Sequence, residues 1–418
     1  MRPKDEAELA QMIQAAQGPL SLRGGDTRGP VVAGEALDLS GLSGIVLYEP
    51  GALTLVAGAG TPLAEVETVL AAQGQHLAFE PPDLRALLGR GGQSTLGGIA
   101  AANASGPRRF QAGAARDALI GIRCVDGRGD VIKSGGRVMK NVTGMDLVKL
   151  MAGAHGTLGV LSEVAFKLLP RPQMRASLCL HGLDPGPAVA AMSAAMATPY
   201  EVSGAAYLPD RRETHLRIEG FEASVTYRLD RLSGVMAAHA AQISRSEDAG
   251  SLWRSIRDVT PLAGQKGDIW RLSVQPSRAP DLLGLMPTGS RTLLDWGGGR
   301  IWALVPEGTD LRAHLGAFAG YASLLRSDAA LSFFPPETPE VAALSAALRA
   351  KFDPKAILNR GMMGCCRPFS PILCCKTPNW PRPTRSCAPA SIAACAPPLA
   401  PAIRFWATSW TARAGASI

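Results

Sequence analysis

Pro19-Leu20-Ser21-Leu22-Arg23-Gly24-Gly25-Asp26-Thr27-Arg28-Gly29-Pro30 carries an apolar run into paired glycines and then into a Gly-Pro step. The apolar run reads as a short strand. Glycine accepts positive φ and lets the main chain approach a bulky group, so successive amide N–H groups can point at a diphosphate. In a doubly wound nucleotide fold the same turn has to open a helix whose N-terminus holds the phosphates. Here Gly29-Pro30 stops any helix at once and Val31 onward looks extended, which disfavours that fold. Taken alone, Gly24-Gly25 reads as a plain tight turn.

It is not alone. Ser94-Thr95-Leu96-Gly97-Gly98, Val138-Met139-Lys140-Asn141-Val142-Thr143-Gly144 and Gly153-Ala154-His155-Gly156-Thr157-Leu158-Gly159-Val160 follow in order, each with more backbone donors than side chains. Between them the elements are legible. Asp5 caps a short helix with Leu9 and Ile13 on its apolar face, and Leu53 to Ala57 is strand-like. Thr61 is expected to cap a helix with Pro62 at its first position and Leu63, Val66, Val69 and Leu70 inward, ended by Gly74. Residues 91–106, rich in Gly and Ala, are expected to be a loop around a ligand, because each glycine in a helix would cost roughly 1 kcal/mol relative to Ala. Ile120 to Lys133 reads as a hairpin with Cys124 buried in it, and Gly159 to Leu169 as a strand ended by Pro170-Arg171-Pro172. Beyond it, short alternating strands (Leu178 to Leu180, His215 to Glu219, Ile269 to Val274, Ile301 to Val305) alternate with Ala-rich helices (Ala188 to Ala197, Ser224 to Ala241), as in an α+β unit with an antiparallel sheet. Glu340 to Lys351 is a last helix with Val341, Leu344 and Leu348 on one face.

The 418 residues call for more than one core, and 46% hydrophobic content fits a globular protein. A net charge of +8 invites a polyanion partner, but six basic residues and no Asp or Glu lie beyond Met363, which leaves only +2 for residues 1–363. Nucleic-acid binding loses its support. No long uncharged apolar run and no signal-like N-terminus is seen, so a cytoplasmic protein without a direct membrane span is expected. Only Cys124 and Cys179 precede residue 364, which suits a reduced compartment.

The ordered set Arg23-Gly24-Gly25, Tyr48-Glu49-Pro50, Ala59-Gly60-Thr61-Pro62-Leu63, Phe79-Glu80-Pro81-Pro82, Thr95-Leu96-Gly97-Gly98, Ser105-Gly106-Pro107-Arg108-Arg109, Arg116-Asp117, Met139-Lys140-Asn141-Val142, Leu150-Met151-Ala152-Gly153 and Gly156-Thr157-Leu158-Gly159-Val160 resembles the vanillyl-alcohol-oxidase, PCMH-type FAD-binding family. Within it the likeness is to the FAD-binding subunits of bacterial glycolate oxidase, and Phe352 to Asn359 resembles the family's closing segment. The resemblance implies an α+β fold: two α/β subdomains sandwiching FAD in residues 1–172, an α+β cap with an antiparallel sheet in 173–330, and a segment 331–363 returning to the FAD domain. By the same likeness the cofactor would be bound by Arg23, Gly24, Gly25, Asp26, Thr27 and Arg28, by Pro82, by Ser94, Thr95, Leu96, Gly97 and Gly98, by Asn103 and Gly106, and by Gly153, Gly156, Thr157, Leu158, Gly159 and Val160. Asp26 stands where covalent flavinylation usually needs a histidine, so FAD is expected to be held noncovalently. The cap histidines are too scattered for close-pair chelation, and no metal is expected. His155 is the histidine to watch, Arg108, Arg109 and Arg116 are candidates for a carboxylate fork, and no catalytic residue is assigned. The implied partners are a catalytic FAD subunit and an iron–sulfur subunit, with peripheral association at the cytoplasmic face of the inner membrane through the complex. A self-sufficient 2-hydroxy acid dehydrogenase and an assembly subunit with a vestigial flavin site are the alternatives.

Residues 364–418 hold six cysteines, nine prolines and no carboxylate, and read as a disordered tail. Back-translated and read one frame over, Pro389 to Pro401 permits C-V-H-C-G-x-C-T-A-T-C-P, the spacing of a bacterial ferredoxin cluster motif. The continuation is similar to an iron–sulfur subunit, which makes the tail a frameshift into the next coding sequence. Genomic DNA around codons 359–365 is expected to show the frame break; an intact overlapping frame without the cluster motif overturns this origin.

Overall fold

Asp5 accepts the amide of Glu8 at 2.8 Å and starts the helix Glu6–Ala15, whose Leu9 and Ile13 are fully buried. They pack on Leu20, Leu37, Val125, Val160, Ile357 and Leu358. In this computed structural model residues 1–136 and 145–363 are described; the Val138–Gly144 stretch and the 364–418 tail, with what was expected of them, lie outside the described residues. The strand Leu20–Arg23 pairs in parallel with Glu35–Asp38, and Leu20 bridges in parallel to Leu358. Between Arg23 and Glu35 the chain bends without forming a helix, so the doubly wound alternative falls.

A five-stranded antiparallel sheet follows, ordered Ile45–Glu49, Thr54–Gly58, Val160–Lys167, Leu119–Val125, Val131–Gly135. The helices Leu63–Ala72 and Leu96–Ala101 cover it through Leu63, Val66, Leu70, Leu96 and Ile99. Two details depart from expectation. Thr61 does not cap: its buried hydroxyl donates back to the Gly58 carbonyl at 2.7 Å, and Pro62 takes the cap position. Residues 96–101 are helical within the expected loop, capped by Thr95, because Gly97 lies so close to Ala59 that a Cβ would sit 2.7 Å from its methyl. Close packing outweighs the glycine's helix penalty.

The second layer is an eight-stranded antiparallel sheet ordered Ile243–Ser246, Met174–His181, Glu213–Gly220, Gly204–Leu208, Arg291–Asp295, Arg300–Val305, Asp268–Val274, Gly320–Arg326. The helices Pro185–Met196 and Glu222–Met236 cover one face. The other packs through Trp253, Ile256, Leu293 and Trp302 against Leu84, Leu87 and Leu88 of the first half. The last helix, Pro339–Phe352, forms where expected, but its Val341, Leu344 and Leu348 are exposed.

The two layers are joined by buried charge. Glu80, held at φ 48° in the Phe79-Glu80-Pro81-Pro82 turn, accepts both Arg217 Nη1 at 3.0 Å and Nη2 at 2.8 Å. Glu219 lies 2.7 Å from Arg108, 2.6 Å from Arg175 and 3.2 Å from Arg217. Arg217 also stacks on Trp253 at 4.7 Å. Burial alone would raise the Glu219 pKa, but Arg217, Arg108 and Arg175 outweigh it and hold it at about 2. Loss of one member of such a set costs about 3–5 kcal/mol, because its partners stay buried and unpaired. We expect Glu219→Gln to unfold at lower denaturant by that margin at neutral pH. The folded pKa lies below the ordinary 4.5, so the Glu219 contribution is present above that pH and lost as pH falls toward 2. Denaturant melts across this window should show a shallower acid limb in the variant.

Candidate functional site

The cleft is two connected chambers, one walled by the first layer and its closing segment and the other lying between the layers, and they share Arg28, Gly29, Pro30, Ala102 and His155. Backbone makes the first. Gly24 to Pro30 form one wall, Gly97 and Gly98 another, and Gly156, Gly159 and Val160 a third. Their glycines are needed for contact: a Cβ on Gly25 would meet the Gln93 carbonyl at 1.6 Å, on Gly24 the Thr95 hydroxyl at 2.6 Å and on Gly156 the Leu22 side chain at 2.7 Å. Three non-glycine residues lining the two chambers, Asp26, Asn103 and His155, hold φ of 52°, 47° and 51°. Left-handed backbone at such residues is uncommon and clusters at ligand clamps.

Asn359 closes the chamber. Its Oδ1 accepts the Leu22 amide at 2.8 Å and its Nδ2 donates to the His155 carbonyl at 2.8 Å, tying the first strand to the Gly153–Val160 loop. Arg28 spans the junction: Nη2 donates to Ser94 Oγ at 2.6 Å, while Nε and Nη1 are buried without partners. Desolvation pulls its pKa down to about 10 against the more distant charges of Asp83 and Asp258, so the guanidinium stays charged, with no carboxylate in contact among the described residues.

The larger chamber joins Pro82, Asn103, Ser105, Gly153 and His155 to the cap residues Arg271, Trp296, Arg300, Trp302 and Tyr321. Among the described residues Arg28, Arg109, Arg271 and Arg300 line it against a single carboxylate, Glu337, which lies 3.7 Å from Arg349. Trp296 carries Arg300 at 3.7 Å and Arg109 at 4.7 Å from its ring centre. Nε of Arg271 and of Arg300 is buried and has no hydrogen-bond partner among the described residues. Burial and then the neighbouring Arg271 pull the Arg300 pKa well down, and burial lifts Asp295, opposite it on the next strand, to about 7. Partial burial would raise the Tyr321 phenol, but a hydrogen bond from Ser273 and the charges of Arg300, Arg271 and Arg109 lower it. His155, packed edge-on to Phe334 at 5.0 Å, is held at about 4 by burial and Arg271, and is neutral near pH 7.

Of the residues marked in the sequence, Gly24, Gly25, Asp26, Thr27, Arg28, Thr95, Gly97, Gly98, Gly156, Gly159 and Val160 line the first chamber, and Pro82, Asn103 and Gly153 the second. Six stand behind the walls instead. Arg23 reaches Asp26 at 3.4 Å, Ser94 supports Arg28, and Leu96 and Leu158 point into the core. Thr157 bonds the Ala154 carbonyl, and the Gly106 carbonyl accepts Trp296 Nε1 at 2.9 Å. The three arginines of the proposed fork part company: Arg108 joins the buried network, Arg116 is exposed beside Asp117, and only Arg109 enters the cleft. Arg271, Arg300, Tyr321 and Asn359 were missed. Strand alternation could have aimed Arg271 and Arg300 to one face, but nothing local says which face meets the cleft.

The residues fit FAD. Glycine walls that a Cβ would fill and a buried, uncompensated Arg28 suit a diphosphate, and the second chamber has room for a flat ring system among Pro82, His155 and Trp296. Asn359→Ala strands two buried backbone groups, worth about 1–3 kcal/mol. FAD affinity, read by flavin fluorescence on titration of the deflavinated chain, should weaken roughly 10- to 100-fold.

Residues 1–135 match the family model of the FAD binding domain. Glycolate oxidase subunit GlcE of Escherichia coli K12 is 34% identical over 365 residues, 86% of this chain and 97% of that subunit. Glycolate oxidase subunit GlcD of Bacillus subtilis is 39% identical over 100 residues, 24% of this chain and 20% of GlcD. An alkyldihydroxyacetonephosphate synthase structure superposes with a TM-score of 0.63 at 15% identity, covering 86% of this chain and 76% of that one, a likeness of fold. The chain is an FAD-dependent oxidoreductase subunit, and it belongs to the PCMH-type FAD-binding family of glycolate oxidase GlcE subunits.

Proposed function

We propose that this chain is the FAD-binding redox subunit of a glycolate, or 2-hydroxy acid, oxidising complex, working beside a catalytic flavoprotein subunit and an iron–sulfur subunit. One observation carries the reading: a single cleft has an amide-rich end suited to a diphosphate and a cationic, aromatic end suited to a small anion beside the ring. Gly24 to Arg28, Thr95 to Gly98, Asn103 and Gly156 to Val160 would hold FAD noncovalently, and bound FAD supplies a two-electron acceptor. Arg271 and Arg300 would orient a carboxylate, and Trp296 and Trp302 would keep water from it. The shifted-frame reading of the tail supports an iron–sulfur partner encoded next to this chain. Exposed Val341, Leu344 and Leu348 support a docking face for the catalytic subunit, since Glu337, just before their helix, lines the cleft through which electrons would pass. Among the described residues no helix is long and apolar enough to cross a membrane, and we place the chain in the cytoplasm, reaching the membrane face through its complex.

The uncompensated arginines favour a second reading, in which the chain oxidises a small hydroxy acid itself. His155, neutral near pH 7, would then accept the substrate hydroxyl proton at a ring nitrogen. Anaerobic mixing of the isolated flavinated chain with glycolate or D-lactate separates the two. Persisting yellow colour, with turnover restored only when all partners are combined, is the outcome expected of the redox subunit; bleaching of the isolated chain selects the second reading. Full glycolate turnover by the partners without this chain overturns the first reading, and an isolated chain that hydroxy acids do not bleach overturns the second. Arg300→Leu should retain FAD and lose the flavin spectral shift that glycolate or oxalate induces. Leu344→Glu should retain FAD and weaken co-purification of the catalytic subunit.

A further inference from the structure

The eight-stranded sheet brings together side chains that the sequence keeps far apart. Met174–His181 and Glu213–Gly220 pair antiparallel with Cys179 opposite His215 and His181 opposite Glu213, so all four side chains share one face. The Cys179 sulfur, a Glu213 carboxylate oxygen and a His215 ring nitrogen all lie within 4.8 Å of one another. His215 Nε2 is 3.2 Å from Glu213, His181 Nδ1 is 3.8 Å from the Cys179 sulfur, and His181 Nε2 is 2.8 Å from Ser244 Oγ. None of the four lines the flavin cleft.

The geometry points to a structural Zn²⁺ site formed by Cys179, Glu213 and His215, with His181 Nδ1 as fourth ligand. A thiolate, a carboxylate and two imidazoles are ligands that Zn²⁺ takes in tetrahedral sites, at bond lengths of about 2.0–2.3 Å. Side-chain rotation would have to draw the Cys179, Glu213 and His215 atoms together to reach that shell, with His181 Nδ1, 3.8 Å from the sulfur, turning in beside them. One thiolate and one carboxylate neutralise the ion, which suits a site where His215 is only 6% exposed. Ser244, on the edge strand Ile243–Ser246, lies 2.8 Å from His181 Nε2 and, accepting an N–H there, would leave Nδ1 free to bind, the usual support of a metal-bound histidine. Binding would displace the thiol proton, which burial and then Glu213 retain up to about pH 12 in the metal-free site. The ion would pin the edge of the cap sheet, apart from the redox site.

The test uses the full-length flavinated chain, stripped with chelator and titrated with Co²⁺ as a spectroscopic stand-in and with Zn²⁺ in competition. A site-bound ion gives near-ultraviolet thiolate-to-cobalt charge-transfer bands that saturate at one equivalent, and Zn²⁺ abolishes them and raises Tm. Cys179→Ser should remove the bands, and His215→Gln should weaken affinity by more than about 100-fold, the upper end of what loss of an outer contact causes. Flavin content, read in the same samples, should stay unchanged and report that the variants fold. Bands that persist in Cys179→Ser would assign the metal to the tail cysteines and overturn the proposal, as would their absence from the unmodified chain. If Cys179→Ser does not fold, loss of the bands in His181→Gln decides in its place.

Discussion

A carboxylate buried between layers, Glu80, fixes where everything else can lie. Its two oxygens take the two outer nitrogens of Arg217, which is itself completely enclosed, and Glu219 on the same strand gathers Arg108, Arg175 and Arg217. A purely apolar interface could slide; a buried bidentate pair has one register. Phe79 and Pro82 flank the carboxylate in sequence, and Pro82 lines the larger chamber, so the seam sets the separation of the cleft's walls. His76, whose Nε2 faces Arg108 at 3.3 Å, is kept neutral by burial and that charge and takes part as an acceptor.

Charge is paired in the seam, where two carboxylates meet three arginines, and nearly unpaired in the cleft. Among the described residues Arg28, Arg109, Arg271 and Arg300 face one glutamate, and several of their nitrogens have no partner. Desolvated cations without counter-ions are unfavourable unless a ligand brings the opposite sign. The site is preorganised for negative charge, and the tryptophan faces under Arg300 and Arg109 hold those side chains in place before it arrives.

Much of this was legible in the chain. Helix and strand positions followed from caps, periodicity and proline stops, and the glycine stretches marked the cleft because glycine's absence of Cβ is itself the requirement at Gly25 and Gly156. What escaped depends on long-range pairing. Arg108 and Arg109 are adjacent, yet one serves the seam and the other the cleft, a division set by which side of a short turn each faces. Residues 96–101 looked too rich in glycine for a helix because Ala59, the surface that makes Gly97 necessary, lies distant in sequence. Cys179 and His215 looked scattered until a strand pairing set them side by side.

Asn359 has a temporal consequence. It sits near the end of the described chain, yet it stitches Leu22 to the His155 loop, and Leu358 lines up beside Leu20. During synthesis the nascent polypeptide emerges with its glycine walls made and their clasp still inside the ribosome. A product cut short before Asn359 therefore lacks the last piece of its own binding chamber.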